Sequence, residues 1–300
     1  RTNDNWKEFA TEESLEAMNK QRDSLSGLFR DNLKKTGYSN WRGSGFNDEG
    51  IKLLEASGAA GIITSYWSKE IGSNKIFGAS TVKIPTIDIE LEDYTMLYRM
   101  ASYGVKPVLK VVAESKDLGT APVFNTVATI KGTEKPEEYI ILSAHLDSWD
   151  GATGATDNGT GTIVMMEAMR LLNKLYPNPK RTIIAGHWAS EEQGLNGSLA
   201  FVEDHTEIVA NIQAVFNQDN GTGRIVDLSG AGYLHSYEYL TRWLEAVPND
   251  ITKHIKTEFP GSPTGGGSSD NASFVAAGAP SFNLSSLDCD YSTYTWHTNR

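Results

Sequence analysis

From Val123 onward the sequence alternates short apolar runs with longer stretches of helical period, and this alternation restricts the fold more than any other feature. Val123–Ile130, Tyr139–Ala144, Arg181–Ala189, Ile212–Gln218 and Ala279–Leu284 read as strands. Thr160–Leu175, with Ile163, Met166 and Leu171 on one side, reads as a helix, as do Ser198–His205 and Ser236–Val247. Strands that alternate with helices are joined by crossovers, so they lie mainly parallel with both sheet faces covered. The expected class is α/β: a mainly parallel-stranded, mixed sheet with helices on both faces.

Residues 1–118 follow a different pattern. Leu15, Met18, Leu25 and Leu28 recur at helical spacing across 11–35, and Gly37 stops the run. Glu49–Ala56 reads as a short helix ending at Gly58, and a helix through Tyr94, Leu97 and Met100 ends at Gly104. Ala60–Trp67, Ile84–Leu91 and Lys106–Val112 read as strands. Glu114–Pro122 looks like a linker, which divides the chain into a smaller α/β region, 1–118, and a larger one, 119–300. No cluster of catalytic residue types occurs in the first region. Gly265–Ser269 reads as a flexible loop rather than a linker between domains.

Composition removes several classes. A formal charge of -11 argues against a nucleic-acid partner. No long apolar run occurs, so no membrane-spanning segment is expected. Cys289 is the single cysteine, read as a packing residue, which excludes an internal disulfide and a cysteine-rich zinc knuckle. Any metal must be held by His, Asp and Glu, which suits a catalytic site. The chain opens on Arg1 and closes on Arg300; both ends look cut, so the missing targeting segment leaves the compartment open. Asn158, Asn196, Asn220, Asn271 and Asn283 begin N-x-S/T triplets. Several lie beside the candidate site, which argues against a glycosylating pathway.

Open α/β sheets bind ligands beyond the carboxyl ends of their strands. There the strand EYIILSA runs into His145, RTIIAGHWAS into Glu191 and Glu192, and IQAVFNQ into Asp219. Asp157 sits in the Gly-rich turn GATGATDNGTG before a helix, and His297 follows the last strand after a loop. A lone Asp here is ordinarily a cap or turn residue, and a lone His a structural one. The whole set is different: unpaired, so many carboxylates would repel, and divalent cations remove the conflict. His145 and Asp147 share one face of a strand, so the Asp147 carboxylate is expected to accept a hydrogen bond from His145. Glu191 and Glu192 point in different directions, so one can bind metal while the other acts as a base. His187 reads as a core residue, and His205, His235 and His254 as exposed. Trp149 and Trp188 flank the ligands and either line the pocket or pack in the core.

The stretches SAHLDSWDGATGATDNGTG, WASEEQGLNGS, NQDNGTGR and TWHT resemble the M28 family of metallopeptidases over 121–300. HLDSWD is most similar to its plasma glutamate carboxypeptidase-like group. KLLEASGAAGIIT and IPTIDIE resemble, more weakly, the protease-associated (PA) domain of such enzymes. By position, the resemblance implies two zinc ions, one held by His145, Asp157 and Asp219, the other by Asp157, Glu192 and His297. It implies a cis peptide between Asp157 and Asn158, and a loop near the substrate at Ser269 and Asp270. The implied activity is that of an exopeptidase acting on peptide termini or dipeptides, through a metal-bridging water with Glu191 as general base. A secreted or periplasmic bacterial protein is implied. The chain departs from the pattern at Trp296, where a Tyr usually helps hold the oxyanion, and at Asn271, where SDH is common. It also stops before the family's usual last helix. Trp296 either donates its indole N–H in place of that Tyr or packs on His297. Two rivals are a glutaminyl-peptide cyclotransferase-like enzyme of related fold with one zinc, some of which carry this Trp, and a non-catalytic binding module. The complete ligand set favours the peptidase.

Overall fold

The structure, a computed structural model, describes residues 11–36, 48–68, 70–79, 81–116, 118–261 and 269–300. Gly37 and most of the Gly265–Ser269 run lie outside the described residues. The chain divides into two compact units, 1–116 and 117–300.

In the first unit, α1 (Glu12–Thr36), α2 (Asp48–Ala56) and α3 (Leu91–Ser102) accompany a small parallel sheet of β1 (Ile62–Thr64) and β2 (Thr86–Asp88). Lys106–Val112, expected as a strand, forms none. Val108 and Val112 are 95% and 83% exposed. A β-type run gains little without a packed face and a neighbouring ladder.

The second unit is a seven-stranded sheet of β3 (Thr126–Ile130), β4 (Lys135–His145), β5 (Arg181–Trp188), β6 (Ile212–Gln218), β7 (Ile225–Ser229), β8 (Lys256–Glu258) and β9 (Ser281–Ser286). Their spatial order is β3-β5-β4-β6-β9-β7-β8. β5, β4, β6 and β9 are mutually parallel, β3 runs antiparallel to β5, and β7 antiparallel to β9. The sheet is thus mainly parallel and mixed, as expected. β7 and β8 complete it at the side where no strand was expected.

Successive residues of each strand point to opposite faces. Ile141, Ile184 and Val215 pack with Trp188, Phe201, Val209 and Phe274, under α5 (Asn196–Asp204), α6 (Thr206–Val209) and α8 (Asn271–Ala276). Their neighbours Leu142 and Ile183 face the other way and meet Met169 and Leu172 of α4 (Thr160–Leu175). Ala214 and Phe282 meet Leu240 of α7 (Ser236–Glu245). Helices therefore cover both faces. Burying each of these Ile, Leu, Met or Phe side chains contributes about 1.5–3 kcal/mol.

Candidate metal centre

Parallel strands open their carboxyl ends on one edge. His145 ends β4, Glu191 and Glu192 follow β5, and Asp219 follows β6. Asp157 lies in the turn Ala155–Gly159 that leads into α4, and His297 follows the turn Tyr291–Thr295. The Asp157–Asn158 peptide bond is cis, as the resemblance implies. Asn158, 1% exposed, anchors its turn: Nδ2 donates to the Gln218 carbonyl at 2.9 Å and Oδ1 accepts the Gly161 N–H at 3.1 Å. Gly161 leaves room for this, since a β-carbon there would collide with Asn158 Oδ1 and the Gln218 carbonyl. Ser190 (φ 60°) and His297 (φ 56°) hold left-handed backbone without being glycine. Such strain costs on the order of 1–3 kcal/mol and collects at functional sites.

The five candidate ligands converge. His145 Nε2 lies 2.9 Å from Asp219 Oδ1 and 3.1 Å from Asp157 Oδ1. His297 Nε2 lies 3.0 Å from Asp157 Oδ2 and 3.1 Å from Glu192 Oε2. Two ligand groups result, His145–Asp157–Asp219 and Asp157–Glu192–His297. Asp157 belongs to both and turns one oxygen toward each. His145 Nδ1 faces the Asp147 carbonyl oxygen at 3.0 Å, which can only accept. Nδ1 therefore carries a proton, and Nε2 is left to the ligand cluster.

The donor set fits a divalent metal such as zinc: imidazole nitrogen and carboxylate oxygen, nearly dry. Glu192 Oε1 is buried with no hydrogen-bond partner, an expensive state for a carboxylate oxygen unless a cation meets it. Protonation shows the same tension. Burial pushes Glu191 up to about 9, with the Asp219 carboxylate adding to it. Burial also raises Glu192 and Asp219. Burial opposes charge on His145 and His297, yet Asp219 and Asp147 on one side, and Asp157 and Glu192 on the other, raise both. Asp157 moves the other way: two imidazoles overcome its burial and hold it well below the usual range. Metal ligation requires these groups deprotonated, so a bound cation takes the place of the shared protons.

The role expected of the Asp147 carboxylate needs correction. It sits 3.6 Å from His145 Nδ1, too far for a hydrogen bond. Instead Oδ1 accepts the Glu191 N–H at 2.9 Å and Oδ2 the Glu192 N–H at 3.1 Å. The carboxylate clamps the backbone of both glutamates, and the backbone carbonyl of Asp147 serves the histidine. Glu191 Oε2 then lies 4.0 Å from His145 Nε2, while Glu192 reaches His297.

Ser269 is buried and its Oγ accepts from Asn217 Nδ2 at 2.8 Å. Asp270 is completely buried, and burial pushes its carboxyl up to about 7. Trp296 packs on His297 with ring centroids 4.3 Å apart, and Trp149 approaches the same imidazole edge-on at 6.2 Å. Trp188 is a core residue against Phe201 and Phe274, its Nε1–H donating to Ser143 Oγ at 2.6 Å. His187 is buried, and His205, His235 and His254 are exposed. One residue near the site went unread in the sequence: Tyr291, whose ring packs against Gly221 and whose hydroxyl lies near buried carboxylates. Burial raises that hydroxyl, and the Asp157, Asp219 and Glu192 carboxylates raise it further, so it stays a donor. Its place in the aromatic run before His297 was the available signal.

A sheet of this order, with imidazole and carboxylate groups gathered at its carboxyl edge, defines an α/β protein with a candidate metal centre. The chain belongs to peptidase family M28, whose family model matches residues 125–300. It is 36% identical over 215 residues to carboxypeptidase Q of Xenopus laevis, a match covering 71% of this chain and 44% of that protein. The chain thus spans less than half of this relative's length. Among solved structures, a peptidase M28 precursor from Shewanella amazonensis shares the fold at a TM-score of 0.67, with 22% identity over 83% of this chain and 56% of that one. A zinc aminopeptidase from Bacillus subtilis shares it at 0.57, with 22% identity over 84% and 61%.

Proposed function

We propose that this chain carries the catalytic region of a zinc-dependent exopeptidase that cleaves the terminal bond of a peptide or the bond of a dipeptide. The observation that carries the reading is the pair of complete ligand groups sharing Asp157, with Glu191 beside them and outside both. In this reading His145, Asp157 and Asp219 hold one zinc, and Asp157, Glu192 and His297 a second. The name of the Bacillus subtilis relative supports zinc, and that of the frog relative supports a peptide substrate. Bound zinc supplies Lewis acidity and a water acidic near neutral pH. Glu191 would act as the general base and acid, accepting a proton from the attacking water and returning it to the departing amine. The Asp147 clamp holds Glu191 in place for both transfers.

Residues 1–118 act as a PA-like domain in this reading, and no described residue there joins a ligand group. The natural compartment is the bacterial periplasm or exterior. Asn158 and Asn271, which open two acceptor triplets, are 1% and 3% exposed, where a glycan does not fit.

The test is an assay of the zinc-loaded protein on dipeptides and aminoacyl-nitroanilides, free and terminally blocked. Hydrolysis of free-ended substrates is expected, and cleavage of none refutes the reading. Metal analysis should give about two zinc ions. One ion in zinc excess supports the cyclotransferase instead.

A further inference from the structure

Beneath the ligand cluster the sheet carries a polar row that the exopeptidase reading leaves without a role. Ser143, Asn217 and Asn283 are cross-strand neighbours on β4, β6 and β9. Ser143 comes two residues before His145 and Asn217 two before Asp219, so the row sits one step below the ligands on the same face of the sheet. Ser143 and Asn217 are fully buried. On β5 the row's neighbour is Gly186. A β-carbon there would lie 2.3 Å from the Trp188 indole, so glycine lets that ring fold back over β5 and reach Ser143. Trp188 Nε1–H can only donate, and it donates to Ser143 Oγ at 2.6 Å. Ser143 Oγ therefore turns its own proton to Asn217 Oδ1, at 2.8 Å. Asn217 Nδ2 is then the donor on the far side, to Ser269 Oγ at 2.8 Å and to Asn283 Oδ1 at 3.2 Å. One donor-only group thus fixes the polarity of the whole row.

Stability alone does not call for polar groups at this level. The next level down on the same face is Ile184, Ile141 and Val215, which fill it with apolar contacts. Replacing both partners of a buried hydrogen bond by apolar groups of the same shape can be nearly neutral. What the hydrogen bonds add is a fixed length and direction, where apolar contacts tolerate a slide. That matters for β4, which shifts register against β6 between Tyr139 and Ile140. We propose that Asn217 is a positioning residue of the metal centre: its amide holds the ends of β4 and β6 at the heights where His145 and Asp219 meet, and ties the Ser269 segment to them. The proposal rests on the zinc reading of the site. His145 Nε2 and Asp219 Oδ1 are 2.9 Å apart, so a small slip between the two strands would spread their ligand group. In this role Asn217 acts through the strands that carry the ligands.

The test is Asn217→Leu, which keeps the size of the side chain and removes the amide. Leu240→Ala on α7 is the control, since it loosens a part of the core away from the row. Zinc is titrated into each metal-stripped protein by chelator competition, at a temperature where melts show each one folded. The visible spectrum of each cobalt(II)-loaded protein is recorded as well. Asn217→Leu should bind zinc roughly 10-fold more weakly, the equivalent of one or two lost hydrogen bonds, and shift the cobalt bands. Leu240→Ala should melt lower but keep the parental zinc affinity and spectrum. Should Asn217→Leu fail to fold, Ser143→Ala removes the Asn217 bond from the other side and is read the same way. Parental zinc affinity and cobalt spectrum in the folded row variant, or an equal loss of affinity in Leu240→Ala, overturn the proposal; the row would then serve stability alone. If the parent protein binds no zinc, the exopeptidase reading falls first and this proposal with it.

Discussion

Replacing Asp147 by asparagine tests how the paired glutamates are aimed. The two carboxylate oxygens accept the Glu191 and Glu192 amides at 2.9 and 3.1 Å. Asparagine has the same shape but a single acceptor oxygen. Its NH2 arm would face a backbone N–H, donor against donor. The loss is one hydrogen bond to a charged acceptor, about 1.5–3 kcal/mol. The Asp147 side chain keeps 20% of its surface exposed, so water softens the loss toward the lower part of that range. About 1.5–2 kcal/mol corresponds to roughly 10–30-fold in kcat/KM if the clamp acts through the position of Glu191. The same energy should lower Tm by about 3–8 °C for a unit of this size. The assay is kcat/KM on a dipeptide at saturating zinc, paired with a thermal melt. Asp147→Ala, which loses both bonds, should be worse in both. A kcat/KM within threefold of the parent with an unchanged melt, or an alanine variant no worse than asparagine, would refute the clamp.

Glu191→Gln should cut turnover by about 10²–10⁴-fold with zinc retained, whereas Glu192→Gln should lose zinc; zinc content and turnover measured together show whether the roles are reversed. Gly161→Ala forces a β-carbon against Asn158 and the Gln218 carbonyl. Overpacking of about 1–3 kcal/mol should lower Tm by about 2–12 °C in calorimetry, and an unmoved Tm would contradict the tight approach of α4 to β6. Stripping zinc with a chelator should lower Tm by about 8–16 °C, since a ligand at 1,000 times its Kd is worth about 4.1 kcal/mol. Equal melts with and without zinc would count against the metal centre.

The central sheet was legible because its strands are buried on both faces and so read as unbroken apolar runs, such as Ile183–Ala185 beside Ile140–Leu142. β7 and β8 were not. β8 is Lys-Thr-Glu, wholly exposed, and owes its shape to pairing with β7 rather than to its own residues. Lys106–Val112 is the reverse case, with β-type residues but no partner ladder among the described residues. At the site, His145, Glu191, Glu192 and Asp219 were legible because parallel strands bring their carboxyl ends to one edge. The work of the Asp147 carboxylate was not, because it lies in a contact to the backbone after another strand. Residue spacing within SAHLDSWD says nothing about that strand. Tyr291 was hidden for a similar reason: its ring meets Gly221, on the loop after β6, across a fold contact that adjacent letters do not encode.

On the proposed two-zinc reading, the division of Asp157 between two ligand groups means that occupancy of one group and occupancy of the other would not be independent. A cation in either group fixes the carboxylate rotation the other requires, which favours the second ion. The same cation draws charge from the shared carboxylate, which opposes it. Whatever factor the first ion imposes on the second, the second imposes on the first. On that two-zinc reading, loading would follow a coupled two-step isotherm, with one rotatable bond setting how sharply the molecule responds to the supply of metal.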